Sequence, residues 1–156
     1  MSPGILAGAA AGAAGTTALN ALTYLDMSVR GRPSSDSPER LVEAVEARTP
    51  LSVPGAAETR RNRLGGLGAL AGIATGIGVG AAFGALRRAG VHPPPAVEAA
   101  LIGLAAMAAT DLSMAALGVS DPRTWQPADW AADLLPHLGY GAVTAATLSA
   151  LDGRGR

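Results

Sequence analysis

Asp133 and His137 stand one helical turn apart in "DWAADLLPHLGY", so a helix through them sets a carboxylate beside an imidazole, with Tyr140 close by. A carboxylate next to an imidazole stabilises the protonated ring and can relay protons. The same two groups could serve as metal ligands, with Asp111 or Asp26 as a third. A lone Asp-x-x-x-His is common, however, and nothing in the sequence forces other carboxylates to converge on it. No metal site and no cofactor is therefore expected. Read without chemistry, the pair is a polar cap near the end of its helix. Pro136 should bend that helix and free a carbonyl.

Asp111 is the sharper candidate. It interrupts "LIGLAAMAATDLSMAALG", an otherwise apolar segment, and is placed near a helix centre. An ionised aspartate at the centre of a membrane-spanning helix costs about 2.5–3.5 kcal/mol, and each large apolar side chain returns about 0.3–0.6 kcal/mol. The segment inserts comfortably only if Asp111 faces protein or water, or is protonated. Its structural alternative is a hydrogen-bonded carboxyl with Asn20, Thr16 or Thr17 as partners. Asn20 shares a helix face with Thr16 and Thr23, and Asp26 lies near that helix's end.

The elements that must hold these groups follow from where charge is missing. Pro3 to Leu25 has no ionisable side chain except Tyr24, and Leu64 to Leu86 has none. At about 1.5 Å per residue each run crosses a hydrocarbon core of about 30 Å. Ala96 to Gly118 is a third run, broken by Glu98 and Asp111, and Trp130 to Leu151 is a fourth, carrying Asp133 and His137. We expect an all-α fold, a four-helix transmembrane bundle forming a single domain over 1–156, with spans near 3–27, 64–88, 96–118 and 129–151. The competing reading is a soluble bundle of alanine-rich helices, whose surface should show polar residues every turn.

Glycine falls at 68, 72, 76, 80 and 84, and again at 4, 8 and 12. Residues four apart share a helix face, so Gly68, Gly72, Gly76, Gly80 and Gly84 predict one bare track and Gly4, Gly8 and Gly12 another. In water each interior glycine costs roughly 1 kcal/mol relative to alanine. In lipid, close helix contact becomes a leading source of association. We therefore expect glycine-zipper (GxxxG) packing, within the chain or between copies.

Between the first two spans lies a segment, 31–63, in which "SPERLVEAVEA" predicts a short amphipathic helix. Ser37 would be its N-cap, Pro38 its first residue and Glu39 its dipole complement. Arg30, Arg32, Arg40, Arg48, Arg60, Arg61, Arg63 and Arg123 fall on one side of the spans; Arg87, Arg88, Arg154 and Arg156 fall on the other. That asymmetry predicts a cytoplasmic 31–63 loop, both termini outside, and residence in the cell membrane. Trp125 and Trp130 suit an interfacial belt. The halves echo one another: "GIGVGAAFGAL" resembles "LGYGAVTAATL", as a duplicated helix pair would.

The net charge of zero gives no argument for nucleic acid. With no cysteine, disulfides and thiolate chemistry are excluded. There is no phosphate loop, zinc-protease pattern or serine elbow, so nothing points to an enzyme. "NALTYLDMSVRGRP" and "ATDLSMAALGVSDPRTW" resemble small integral membrane proteins of actinobacteria. The resemblance implies membrane residence and a helical fold, and brings no activity or functional residues with it. The leading expectation is a structural or assembly protein whose partners are the bilayer and another transmembrane helix, its own copy included. The alternative is a small transporter or channel conducting protons or a cation through Asp111 with Asp133 and His137.

Overall fold

The computed structural model describes residues 3–153, and every regular element within them is a helix. Four long helices, α1 (Pro3–Arg30), α3 (Ala57–Arg88), α4 (Pro95–Ala116) and α5 (Pro127–Gly153), are joined by a short α2 (Ser37–Glu46) and a single 3₁₀ turn at Pro122–Thr124. Arg154 and Arg156, which entered the orientation argument, lie outside the described residues.

α1 packs against α3 and α5, α4 packs against α5, and α3 touches α4 more sparsely. Gly4, Gly8 and Gly12 meet Gly84, Gly80 and Gly76 in that order, so α1 and α3 are antiparallel. α4 and α5 are antiparallel too, since Gly103 lies on His137 and Gly141 lies on Ala99. The core runs between the two pairs through Ala11, Ile102, Ala106, Tyr140, Ala145 and Leu148.

α1, α3 and α4 are long and apolar enough to cross a membrane, and only 17% to 22% of each apolar stretch is buried against protein. The large side chains point outward: Leu6, Leu25, Leu70, Leu101, Leu112 and Leu135 are all exposed. A water-soluble fold of this size would turn such residues inward, because their burial is its main source of stability. An apolar outer surface of this kind fits a membrane protein. α5, the fourth expected span, falls outside the apolar group. One face of it buries Pro136, His137, Tyr140, Gly141, Thr144, Ala145 and Leu148, and the other exposes Trp130, Leu135, Leu138 and Val143.

The ends of α3 and α4 are built alike. Gly90 and Gly118 adopt φ of 88° and 71°, which side chains with a Cβ rarely tolerate. In each case the next residue's N–H reaches back to the helix, Val91 to Leu86 O (3.0 Å) and Val119 to Met114 O (2.8 Å). This is the Schellman closure, which satisfies carbonyls otherwise orphaned at a helix end.

α2 begins as its proline predicts, one residue away from the expected cap. Asp36, not Ser37, precedes the first turn, and its side chain makes no capping bond. Ser35 Oγ instead accepts from Ser37 N–H at 3.2 Å. The helix lies on the start of α3, where Pro38 rests against Gly68. It is fastened by Arg60, which donates to Glu43 at 2.8 Å and Glu46 at 2.5 Å. Arg48 reaches across to the carbonyl of Leu117 at 3.0 Å, adding positive charge where the α4 dipole is negative.

Candidate functional site: a carboxylate–imidazole cluster between α4 and α5

α5 begins at Pro127, whose missing N–H costs nothing in a first turn. Asp129 accepts from Gln126 N–H at 2.9 Å. Its carboxylate is thereby spent on the helix start, while Asp121 pairs with Arg123 at 2.8 Å. Trp125 and Trp130 meet edge to face with centroids 5.1 Å apart, and Trp125 Nε1 donates to Ser120 Oγ at 3.0 Å. The Asp121 carboxyl, held by the Arg123 guanidinium and backbone N–H, sits below the usual carboxylate range.

One and a half turns into α5 lies Asp133, followed by His137. The imidazole is 8% exposed. Its Nδ1 stands 2.8 Å from the Asp133 carbonyl and 3.5 Å from Oδ1 of the same residue. A carbonyl oxygen only accepts, so the short contact puts a proton on Nδ1. Across the seam, the Asp111 side chain comes within hydrogen-bonding reach of Asp133, with His137 close to both. Asp133 Oδ2 is buried and has no hydrogen-bond partner among the described residues. Two carboxylates can share a hydrogen bond only through a proton, and two adjacent negative charges in a poorly solvated seam repel. The seam therefore sets two carboxyl groups beside one imidazole, where a shared proton would relieve the repulsion between them.

Asp111 differs from its expected setting in two respects. It lies in the last third of α4, five residues from Ala116, about 8 Å from that helix end rather than at its centre. Its neighbours are Asp133 and His137 rather than Asn20, Thr16 or Thr17. Thr16 and Thr17 turn back to their own helix, donating to Gly12 O (2.9 Å) and Ala13 O (3.1 Å). Asn20 is half-buried on α1. Asp26 is tied to Arg30 (3.2 Å) and Arg32 (2.5 Å) at the end of α1. Among the described residues no three acidic or imidazole groups are arranged to hold a metal ion.

The glycine tracks frame this seam from the other pair of helices. A Cβ at Gly80 would stand against Gly8 O, 2.6 Å from Gly12 Cα and 2.7 Å from Gly12 N, so backbone touches backbone. Gly76 faces the Thr16 hydroxyl, Gly68 lies under Pro38, and Gly72 has open space where its side chain would be. Tyr140 ties the two helix pairs together. It is 1% exposed, its ring lies on Gly15 of α1, and its hydroxyl donates to Gly76 O of α3 at 2.6 Å.

Sequence reasoning missed a second charged cluster. Arg87 counted only towards orientation, and Glu98 only as a break in a run. Glu98 is 4% exposed, and Arg87 holds both its oxygens, with Nε 2.6 Å from Oε1. Arg87 also donates to Asp152 at 2.8 Å and Ser149 at 3.0 Å. The signal was an acidic residue in the first turn of one span, close in sequence to an arginine ending the previous one. No family model matches the chain, and no characterised protein or solved structure is significantly similar to it.

Proposed function

We propose that this chain is a multi-pass protein of the cell membrane, a four-helix bundle built on a glycine zipper, whose Asp111–Asp133–His137 cluster exchanges protons or a cation. The carrying observation is that Asp111, on α4, is set against the Asp133–His137 pair one turn apart on α5. An ionisable group inside a span is expensive, and three at one place imply a use for them. The zipper reading is supported by the close approach of Gly4, Gly8 and Gly12 to Gly84, Gly80 and Gly76. The cytoplasmic assignment of the α2 side is supported by the arginines gathered at that end.

The test is proton or cation flux into vesicles of reconstituted protein under an imposed gradient. The wild type should dissipate the gradient. Asp111→Asn should abolish flux while helicity and detergent-solubilised mass are retained. Dissipation at the wild-type rate by that variant would remove the proposal.

The second reading is a structural or assembly protein. It is favoured by how much of the chain serves close packing, Gly103 and Gly141 included. The Gly4–Gly12 and Gly76–Gly84 tracks already face each other, however, so assembly would use a different face. A duplicated helix pair also fits: α1–α3 and α4–α5 are antiparallel hairpins, and α1–α5 and α3–α4 are the contacts a two-fold axis along the helices would exchange.

A further inference from the structure

If a two-fold relates the hairpins, it is broken at one place. α1 and α5 pack closely, whereas α3 and α4 leave an apolar groove of about 420 Å³ between them, lined by Phe83, Leu86, Val91, Leu101 and Leu104. Glu98 lies in the same groove, held by Arg87 of α3. That clasp is a bidentate guanidinium–carboxylate contact, the strongest and most directional ion pair available to side chains. Arg87 is also paired with the partly exposed Asp152 and with Ser149, both on α5. If it let go of Glu98, Arg87 would still have Asp152 to neutralise it.

We propose that the α3–α4 seam is a lateral gate closed by the Arg87–Glu98 clasp, with Arg87 retained by Asp152 and Ser149 when it opens. The zippered α1–α3 pair and the interlocked α4–α5 pair hinge about the α1–α5 contact, and the groove is the space into which the α3–α4 seam parts. The proposal does not depend on proton exchange at Asp111, because its test reads a distance and not a flux.

The chain has no cysteine, so two can be introduced without background. Spin labels at Ala82→Cys on α3 and Ala96→Cys on α4, both exposed positions, report the seam in reconstituted protein. The otherwise unaltered chain should give a single narrow distance distribution. Glu98→Gln should shift part of it to longer distance, and Asp152→Asn, which leaves the clasp in place, should not. A Glu98→Gln distribution superimposable on the parent overturns the gate. Should Glu98→Gln fail to fold, hydrogen exchange on the native chain decides. Amides at 81–88 and 98–101 should exchange faster than those at 8–12 and 76–80, and equal protection in the two regions overturns it.

Discussion

Gly8 of α1 and Gly80 of α3 lie carbonyl to Cα across the helix interface, each occupying the space where the other would carry a side chain. The relation repeats one turn away at Gly4 with Gly84; in the other direction Gly12 lies on Gly76 O, while Gly76 itself faces Thr16. Lipid is as apolar as leucine, so large side chains would gain little by meeting there. Bare backbones gain dispersion contact over their whole length.

Gly80→Val should therefore destabilise the protein in detergent by about 1–3 kcal/mol, the usual cost of overpacking a close contact. Gly72→Val, with open space around it, should change stability by no more than about 0.5 kcal/mol. Thermal unfolding followed by circular dichroism distinguishes them. Equal effects at the two positions would mean that the α1–α3 contact is not as drawn.

Tyr140→Phe keeps the ring against Gly15 and removes only the hydroxyl that donates to Gly76 O. The loss should be about 0.5–1.5 kcal/mol, the net worth of one hydrogen bond. Tyr140→Ala should cost several times more, since it also empties the space at the crossing of α1, α3 and α5. Denaturant titration of the three proteins side by side gives the comparison.

Asp111→Asn and Asp133→Asn should not be additive. The two carboxyl groups face each other across the α4–α5 seam, so removing one changes the charge the other tolerates, and a coupling of about 0.5–3 kcal/mol is expected. Additive single and double variants in stability measurements would place the side chains apart.

Docking of α2 should weaken in acid. The Glu46 carboxyl is held below its ordinary range first by the Val53 N–H and then by Arg60. A carboxyl with a depressed value when folded contributes stability that is fully present above its free value of about 4.3, and that is lost as pH falls through the folded value. The Val53 amide resonance should follow this transition. Glu46→Gln should leave it insensitive to pH over the same interval, and a wild-type resonance that does not move would disprove the attachment.

Extraction from cells should require detergent, since the faces of α1, α3 and α4 are apolar and largely uncovered. Protein that stays monodisperse in plain buffer would contradict the reading of those helices as spans.

Much of this was legible in the chain because it is local. Runs without charge mark the long helices, Pro127 starts α5 where a proline should, and the four-residue glycine spacing marks a bare face on α1 and on α3. Local pattern also names Asp111, Asp133 and His137 as groups out of place in an apolar setting. Partners are a different matter. Spacing along one helix states which residues share a face and cannot state what that face meets. Asp111 faces Asp133 rather than Asn20 because α4 packs on α5. Gly72 stands off the track that Gly76 and Gly80 share with α1. Arg87, eleven residues before Glu98, clasps it because the α3–α4 turn brings the two helix ends together. The sequence by itself determined which stretches are helices and which of their residues cost free energy to bury. Only the tertiary structure decided which of those costs are offset, because the offset comes from atoms on another helix.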